Sequence, residues 1–385
     1  MVEFEPRQAF EHVDRLAYEI GPRLAGSRGE EVAAEYIQKH MKGYGLNVTT
    51  QEFKFVDRAL KRKASAVLLT SMLFASFLLP PPFPIAAWAA ALAVQLILEN
   101  ILPKRRSRNI IAKIETKNAE KEVVVAAHFD SARCTKSHRM GLFLRFSFLP
   151  ALVMATLAVL LLSAGFSLWL PLALAAAFLP VSVTLFVSAG GRKVSPGAND
   201  NASGVAVLLE VARVLAADPP MDRAITFIAF GAEEQGLVGS KKFAAGKSLN
   251  PATAILNLDT VGVGPQPYII EGNGLMWRVK TAAPPNQALS ASINRAGLEP
   301  KMWWAALAGH DHIPLVRRGY SATTLTFDAV GLDKLGQKLS RTFKLPNART
   351  RRYGKLHTTD DTPEYLELKT IELAGKIVLD FLKAI

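Results

Sequence analysis

The chain has a single cysteine, Cys134, among its 385 residues. One cysteine excludes an intramolecular disulfide, so a reducing compartment is allowed. Cys134 follows the string HFDSA closely, which raises the question of whether it binds a metal there. We interpret it as a loop residue, because the chain offers enough other ligands.

Charged residues are missing from two long stretches, 64–98 and 146–191. Each stretch is long enough for two membrane spans of about 17–23 residues. Prolines at 80–84 interrupt the first stretch, and Ser163-Ala164-Gly165 interrupts the second. Neither stretch has the polar stripe that a core helix usually carries on one face. We therefore predict two transmembrane hairpins, with spans at Ala64–Leu79, Phe83–Leu98, Phe146–Leu162 and Phe166–Val187.

Charge is also missing from the hairpin tips, whereas basic residues border the other ends and contribute to a net charge of +13. A lysine and arginine excess in short loops marks the cytoplasmic side. We expect a multi-pass protein of the cell membrane whose hydrophilic body faces the cytoplasm, with these residues against anionic headgroups. Without a platform of interleaved aromatic and basic residues, no nucleic-acid partner is expected. The bordering residues are Lys61, Arg62, Lys63, Lys104, Arg105, Arg106, Arg108, Arg133, Lys136, Arg139, Arg145, Arg192 and Lys193.

The remaining chain has the pattern of one α/β domain. Apolar runs such as EVVVAAH, AITFIAF and TAILNLD alternate with helical patterns at 202–216, 234–247, 281–296 and 363–384. This alternation predicts a mixed, mostly parallel sheet covered by helices on both faces. The predicted organisation is a cytoplasmic domain from 1–60, 103–140 and 192–385, with hairpins at 61–102 and 141–191.

Five residues of metal-ligand type follow these apolar runs or lie in glycine-rich turns. Zinc accepts imidazole and carboxylate ligands, and two zinc ions about 3.5–4 Å apart share one carboxylate. Asp200, in a turn directly before a helix, is the predicted bridging ligand. The set predicts a hydrolytic site with two Zn²⁺ ions, although cobalt or manganese would also fit these ligands. The five residues are His128, Asp200, Glu234, Asp259 and His357.

Three further carboxylates have predicted supporting roles. Asp130 lies two residues after His128 and is expected to hold its other ring nitrogen, and Asp361 is expected to orient His357. Glu233 and Glu234 need different roles, because adjacent like charges raise a carboxyl pKa. We assign Glu234 to a metal and Glu233 to the general base that takes a proton from water.

Seven strings together resemble the co-catalytic di-zinc aminopeptidases: GPRLAGS, HFDS, GANDNASGVAVLLE, FGAEEQGLVGS, NLDTVG, DHIPLVRRG and HTTDDT. That family includes bacterial secreted leucyl aminopeptidases and aminopeptidase Y, with glutamate carboxypeptidase and glutaminyl cyclases as relatives. The resemblance covers about residues 14–58, 108–133 and 194–385. The four apolar spans lie outside it, so it implies nothing about their role.

The resemblance implies a three-layer α/β/α sandwich around a mixed eight-stranded sheet. It implies that His128, Asp200 and Asp259 hold one zinc and that Asp200, Glu234 and His357 hold the other. It also implies that Glu233 is the base and that the Asp200–Asn201 bond is cis. The implied substrates are peptides with a free amine, and we expect hydrophobic ones to reach the site from the bilayer.

Part of the sequence departs from the family pattern. Residues 308–312 match only roughly, so His310, His312 and Tyr353 remain alternatives for the group that stabilises the oxyanion. Trp303 and Trp304 are interpreted as core residues, with an apolar pocket as the alternative. Three other functions stay open: a carboxypeptidase or dipeptidase, a glutaminyl cyclase-like transferase with one zinc, and an inactive membrane scaffold.

Overall fold

A computed structural model describes residues 2–116, 119, 121–134, 138–188, 191, 193–220, 222–246, 249–275, 277–327, 341–344, 348–349 and 355–385. The chain divides into two units. The first unit comprises Met1–Phe53, Arg106–Arg133 and Val194–Ile385, and the second comprises Lys54–Arg105 and Cys134–Lys193. The boundaries lie within about seven residues of those predicted from the apolar stretches.

A ten-stranded sheet forms the centre of the first unit. Its spatial order is β1-β2-β4-β3-β5-β9-β6-β8-β10, and β7 pairs with β6. The strands are β1 (Asn47–Val56), β2 (Lys104–Ile114), β3 (Lys121–His128), β4 (Arg223–Phe230), β5 (Ala254–Leu258), β6 (Tyr268–Asn273), β7 (Val279–Lys280), β8 (Lys301–Ala305), β9 (Ser321–Thr326) and β10 (Ala348–Arg349). The resemblance implied eight strands, and the two-residue strands β7 and β10 bring the described sheet to ten.

Helices cover both faces of this sheet. They are α1 (Pro6–Asp14), α2 (Arg28–Gly43), α8 (Ser203–Ala217), α9 (Val238–Ala245), α10 (Ala283–Arg295), α11 (His312–Arg317) and α12 (Leu368–Ala384). Val123 and Val125 of β3 pack into the core beneath α1, α2, α8 and α12, whereas Val124 and Ala126 pack with α9 and α11. Successive residues of a strand face opposite sides, so the arrangement has the three layers that the sequence predicted.

Two predicted helices begin later than their patterns suggested. The pattern at 234–247 becomes α9, because residues 233–237 form a tight turn in which the N–H groups of Gly236 and Leu237 both donate to the Glu233 carbonyl. The pattern at 363–384 becomes a 3₁₀ turn, Pro363–Tyr365, followed by α12. At the N-terminus, α1 continues into a π-helical segment, Arg15–Ile20.

The register of the central strands positions their carboxyl ends side by side. Strands β3, β4, β5 and β9 run parallel, with His128 opposite Phe230 and Ala127 opposite Leu258. The residues that follow these strand ends therefore share one edge of the sheet. Strand β2 runs antiparallel to β4, which makes the sheet mixed.

The second unit consists of apolar helices. They are α3 (Arg58–Ser76), α4 (Phe83–Ile101), α5 (His138–Ser163), α6 (Trp169–Ala176) and α7 (Phe178–Ser188). In the part of the chain that the structure describes, three stretches are long and apolar enough to cross a membrane: Phe83–Ile101, Phe146–Ser163 and Trp169–Ser188. The predicted span Ala64–Leu79 is not among them, because α3 ends at Ser76 and its first turns carry basic residues.

The second unit has a small core and an apolar outer surface. Leu69, Trp88 and Phe178 are buried inside it, whereas Leu96 and Trp169 are 86% and 80% exposed. Polar side chains pair between its helices: Gln95 Nε2 donates to Ser65 Oγ at 2.8 Å, and Trp88 Nε1 donates to Thr156 Oγ1 at 3.0 Å. This unit therefore has paired polar groups inside and large apolar side chains outside.

Candidate metal centre

His128 and Asp259 reach the site because each lies at the end of a central strand. His128 is the last residue of β3 and is buried, and Asp259 directly follows β5. The N–H of Asp259 donates to the carbonyl of Leu325 on β9 at 3.2 Å. Both side chains therefore start from backbone that the sheet fixes.

Asp200 lies in a turn just before α8, and its bond to Asn201 is cis. The Asp361 carboxylate accepts hydrogen bonds from the N–H groups of Asn199 at 2.8 Å and Asp200 at 3.2 Å. The Asn201 amide donates to the carbonyl of Leu258 at 2.8 Å and accepts from the N–H of Thr260 at 3.1 Å. These bonds tie the Asp200 turn to the end of β5.

Two groups of donor atoms meet at Asp200. His128, Asp200 and Asp259 form one group, and Asp200, Glu234 and His357 form the other, with the donor atoms of each group within 4.8 Å of one another. His128 Nε2 lies 3.1 Å from Asp200 Oδ1, and His357 Nε2 lies 3.0 Å from Asp200 Oδ2. The two oxygens of one carboxylate thus face different histidines.

The second group is completed by Glu234, whose Oε1 lies 3.2 Å from His357 Nε2. His357 has a φ of 56° and a side chain 27% exposed, so this ligand-type residue faces the open side of the site. The first group is buried, whereas Glu234 and His357 are half-buried. Solvent and substrate would therefore reach the second group more easily.

Glu233 and Glu234 follow β4 in a turn that Asp130 holds. The Asp130 carboxylate accepts the N–H groups of Glu233 at 2.9 Å and Glu234 at 3.1 Å. His128 Nδ1 lies 3.2 Å from the Asp130 carbonyl oxygen and 3.7 Å from its Oδ1. The Asp130 carbonyl, and not the carboxylate that the sequence suggested, is thus within hydrogen-bond distance of the His128 ring, while the carboxylate connects the ends of β3 and β4.

The pKa values of the site follow from burial and from the crowding of carboxylates. Burial raises the pKa of Glu233 well above its usual range, and the negative charges of Glu234 and Asp311 add to this effect. Burial disfavours a charged His128, but the Asp130 and Asp200 carboxylates outweigh it and raise the His128 pKa. The same balance, with Glu234 and Asp200 as the carboxylates, raises the pKa of His357.

The residues present fit a pair of divalent metal ions. Imidazole nitrogen and carboxylate oxygen are zinc ligands, with bonds of about 2.0–2.2 Å, and one carboxylate lies between the two groups as a shared ligand should. Buried carboxylates in such number need positive charge to offset their desolvation. The donor set and its spacing supply the places where that charge would bind.

Arg23 is a part of the site that motif reasoning did not single out. It is fully buried, and Nε donates to the carbonyl of Phe129 at 2.8 Å. Its other nitrogens donate to Pro196 at 2.7 Å and Gly197 at 2.8 Å, in the segment that leads to Asp200. Burial lowers the pKa of Arg23 to about 10, so it still carries its charge at neutral pH. Its position in GPRLAGS was the only signal in the sequence.

Glu30 supports the site from the N-terminal part of the chain. Its carboxylate accepts the Ser107 hydroxyl at 2.6 Å and the N–H of Gly26 at 2.6 Å. Burial raises the pKa of Glu30 to about 8, although bonds from Ser107, Gly26 and the Ala232 N–H oppose the rise.

The remaining residues that the sequence singled out are the two tryptophans, the alternatives for oxyanion stabilisation and the cysteine. Trp303 and Trp304 are 1% exposed and pack in the core. The three alternatives for oxyanion stabilisation separate: His310 lies near Asp259, His312 is buried with Nδ1 2.6 Å from Thr324 Oγ1, and Tyr353 lies outside the described residues. Cys134 belongs to the second unit.

The fold and the paired donor groups define a class: metal-dependent hydrolases with an α/β fold, whose two divalent metal ions bind at the carboxyl edge of a mixed sheet. The model of Peptidase family M28 matches residues 182–382, slightly more than half of the chain. The chain therefore belongs to Peptidase family M28.

Curated relatives share parts of the sequence. Aminopeptidase YwaD of Bacillus subtilis (strain 168) is 31% identical over 194 residues, which cover 48% of this chain and 36% of YwaD. A probable zinc metalloprotease of Pyrenophora tritici-repentis (strain Pt-1C-BFP) is 51% identical over 71 residues, 18% of this chain and 16% of that protein. The chain thus matches about a third of YwaD and less of the fungal protein.

Solved structures share the fold. The zinc aminopeptidase BSAP from Bacillus subtilis superposes with a TM-score of 0.57 and 18% identity, covering 99% of this chain and 95% of that one. The glutaminyl cyclase of Porphyromonas gingivalis superposes with a TM-score of 0.59 and 15% identity, covering 99% and 98%. These similarities establish the α/β fold.

Proposed function

We propose that this chain is a metallo-aminopeptidase that holds two zinc ions and removes N-terminal residues from peptides. One observation carries the proposal: Asp200 belongs to both donor groups, with Glu233 in the adjoining turn. Membership of family M28 and the likeness to proteins named aminopeptidases support it. Each zinc would have two ligands of its own besides Asp200: His128 and Asp259 for one, Glu234 and His357 for the other.

The residues of the site would divide the reaction between them. When bound, the metal pair would supply Lewis-acid chemistry, which polarises a carbonyl and makes water more acidic. The Glu233 carboxylate takes one proton from the attacking water and returns it to the nitrogen of the leaving amine, so that the peptide bond is replaced by a carboxylate and an amine. Asp130 holds the Glu233 backbone in position for both transfers.

Glu233→Gln tests this assignment. The glutamine keeps the shape of the side chain but cannot accept a proton, so we expect kcat on aminoacyl reporter substrates to fall at least about 100-fold. Metal analysis should still find two zinc ions per chain. Glu299→Gln, a change at an exposed glutamate of the same unit, serves as the matched control. Full activity of the Glu233 variant would refute the proposed base.

A glutaminyl cyclase-like transferase is the second candidate function. The string DHIPLVRRG and the structural likeness to the Porphyromonas gingivalis enzyme favour it. The number of metal ions separates the two, because the transferase site would use one zinc and the peptidase site two. One zinc per chain, with release of pyroglutamyl product from an N-terminal glutamine, would replace our proposal.

The end of the peptide that shortens distinguishes aminopeptidase from carboxypeptidase or dipeptidase action. We expect mass spectrometry of a digested peptide library to show loss from the N-terminus only. Peptides with an acetylated N-terminus should resist, because the reaction requires a free amine. Loss from the C-terminus would assign a carboxypeptidase.

We also propose that the second unit crosses a membrane and leaves the first unit on the cytoplasmic side. Three helical stretches are long and apolar enough, and the basic residues beside them are typical of a cytoplasmic boundary facing anionic headgroups. The insertion 134–193 separates His128 from Asp200 in the chain. Hydrophobic peptides, such as remnants of membrane segments, are therefore the proposed substrates.

A further inference from the structure

His310 lies beside one of the two donor groups. It follows β8 in the loop before α11, is 1% exposed, and its Nε2 is 3.9 Å from Asp259 Oδ2. Its ring stands edge-on to Trp303, with centroids 6.1 Å apart, and stacks on His312 at 5.8 Å. This packing fixes the direction in which the imidazole points.

Asn273 determines which nitrogen of His310 carries the hydrogen. Asn273 Nδ2 lies 3.0 Å from the carbonyl oxygen of Ala308 and 3.0 Å from His310 Nδ1. A carbonyl only accepts, so the atom facing Ala308 is the amide nitrogen, a donor. His310 Nδ1 must then accept, and in a neutral imidazole the hydrogen sits on Nε2. The nitrogen nearest the donor group is therefore an N–H donor.

The distance between His310 Nε2 and Asp259 distinguishes a donor that orients Asp259 from one that faces a substrate atom. At 3.9 Å the two atoms are farther apart than in a hydrogen bond, which leaves room for His310 Nε2 to approach a substrate oxygen beside Asp259. His312, the neighbouring candidate, directs Nδ1 to Thr324 Oγ1 at 2.6 Å instead. The Nε2 atom of His310 faces the donor group that contains Asp259.

We propose that His310 is a further catalytic residue, whose Nε2–H donates a hydrogen bond to the oxygen of the scissile carbonyl. This inference rests on the proposed peptidase function. As water adds, that oxygen gains negative charge and the hydrogen bond strengthens. No proton is transferred from His310, so the ring is unchanged when the carbonyl re-forms. A fixed and buried donor stabilises such charge more than water does.

His310→Phe tests the proposal, since phenylalanine keeps a flat ring against Trp303 but has no N–H. On the zinc-loaded chain in detergent, we expect kcat to fall about 100- to 1,000-fold. KM should stay within about threefold, and zinc should remain at two per chain. His40→Phe, at a half-buried histidine of α2, is the matched control. A kcat within about threefold of the wild type, or loss of zinc in parallel, would overturn the proposal.

A binding measurement makes the result independent of turnover. An aminoalkyl phosphonate mimics the tetrahedral state, whereas the product amino acid does not. By calorimetry, His310→Phe should weaken phosphonate binding about 100-fold and leave amino acid binding unchanged. Equal weakening of both ligands would contradict the role. Glu233→Gln tests the proposed reaction itself. If the Glu233 variant stayed active while the His310 variant lost phosphonate binding, the role of Glu233 as base would be refuted and the role of His310 would stand.

Asn273 provides a third measurement. Asn273→Ala removes the bond that sets the His310 tautomer, so kcat should fall about tenfold. The double variant with His310→Phe should be no slower than His310→Phe alone, because both changes remove the same donor. Additive losses would show that Asn273 and His310 act separately.

Discussion

At the scale of single residues, two carboxylates outside the donor groups, Asp130 and Asp361, are held by backbone N–H groups from other segments. Asp130 accepts two from the turn after β4, and Asp361 accepts two from the Asp200 turn. The sequence suggested that each orients the histidine nearest to it in the chain. Proximity in the chain is visible in the sequence, but an amide that approaches from another segment is not.

Asp130→Asn should loosen the Glu233–Glu234 turn. The asparagine NH₂ would face one of the two N–H groups, and the lost charged bond is worth about 2 kcal/mol of the free energy of unfolding. Loss of such support typically weakens metal binding about 10- to 100-fold. Thermal unfolding and zinc retained after dialysis measure the two effects. Asp218→Asn, at an exposed site, should change neither, and a variant that behaves like this control would contradict the role.

At the scale of elements, the backbone bends unusually around the site. Near the site, four non-glycine residues have a positive φ: Ala232 (55°), Leu237 (61°), Thr260 (57°) and His357 (56°). These residues flank or carry the ligand-type side chains. A non-glycine residue pays about 1–2 kcal/mol in this region, and such positions concentrate at functional sites. None of them is a glycine or asparagine, so no residue type at these four positions predicts a turn.

Ala232→Gly tests the cost of this conformation. Glycine relieves the left-handed backbone, which offsets the lost methyl group and the greater freedom of the unfolded chain. We expect the free energy of unfolding to change by less than about 0.5 kcal/mol. The same substitution at Ala291, inside α10, should lower it by about 1 kcal/mol. Chemical unfolding compares the two, and equal losses would argue against strain at Ala232.

The interface between α1 and α2 contains a buried histidine that should make stability depend on pH. His12 is 6% exposed, with Nδ1 2.6 Å from the Tyr36 hydroxyl and its ring edge-on to His40 at 4.8 Å. Burial, then the charges of His40 and Arg213, lower the His12 pKa from 6.5 to about 3. Below pH 6.5 the unfolded chain binds a proton that the folded chain does not, so stability falls as pH decreases.

Between pH 7 and pH 5, His12 should account for about 2 kcal/mol of lost stability. His12→Gln removes this titration and should flatten the dependence by that amount. Urea unfolding gives the free energy of unfolding of both proteins at the two pH values. Subtracting the pH-dependent change of the variant from that of the wild type cancels the contributions of other groups. Parallel curves for the two proteins would rule out His12 as the source.

At the scale of the whole molecule, two insertions divide a continuous α/β unit in the chain. The apolar unit is formed by Lys54–Arg105 together with Cys134–Lys193, segments that are separate in sequence. Its exposed residues include Leu78 at 72% and Phe74 at 68%. Large exposed apolar surfaces mark contacts with other proteins or with membranes, and we propose that this one contacts lipid.

Membrane insertion predicts that the hairpin tip at 164–168 and the peptidase unit lie on opposite sides. Ser167→Cys and Asn294→Cys, each in a Cys134→Ser background, place a thiol at exposed positions of the tip and of α10. In intact cells, an impermeant thiol reagent should label residue 167 and leave residue 294 unlabelled until the cells are lysed. Labelling of both positions, or extraction of the protein from membranes by alkaline carbonate, would reject the proposal.

The sequence by itself determined the residue types of the site, the apolar helices and the alternation of strand and helix. These follow from local patterns: a ligand such as His128 or Asp259 directly follows an apolar run, and parallel strands place such ends together. Only the tertiary structure decided the strand order, the partners of Asp130 and Asp361, the buried position of Arg23 and the direction of His310. The physical reason is that each of these depends on hydrogen bonds between segments far apart in the chain, whose partners are chosen by packing.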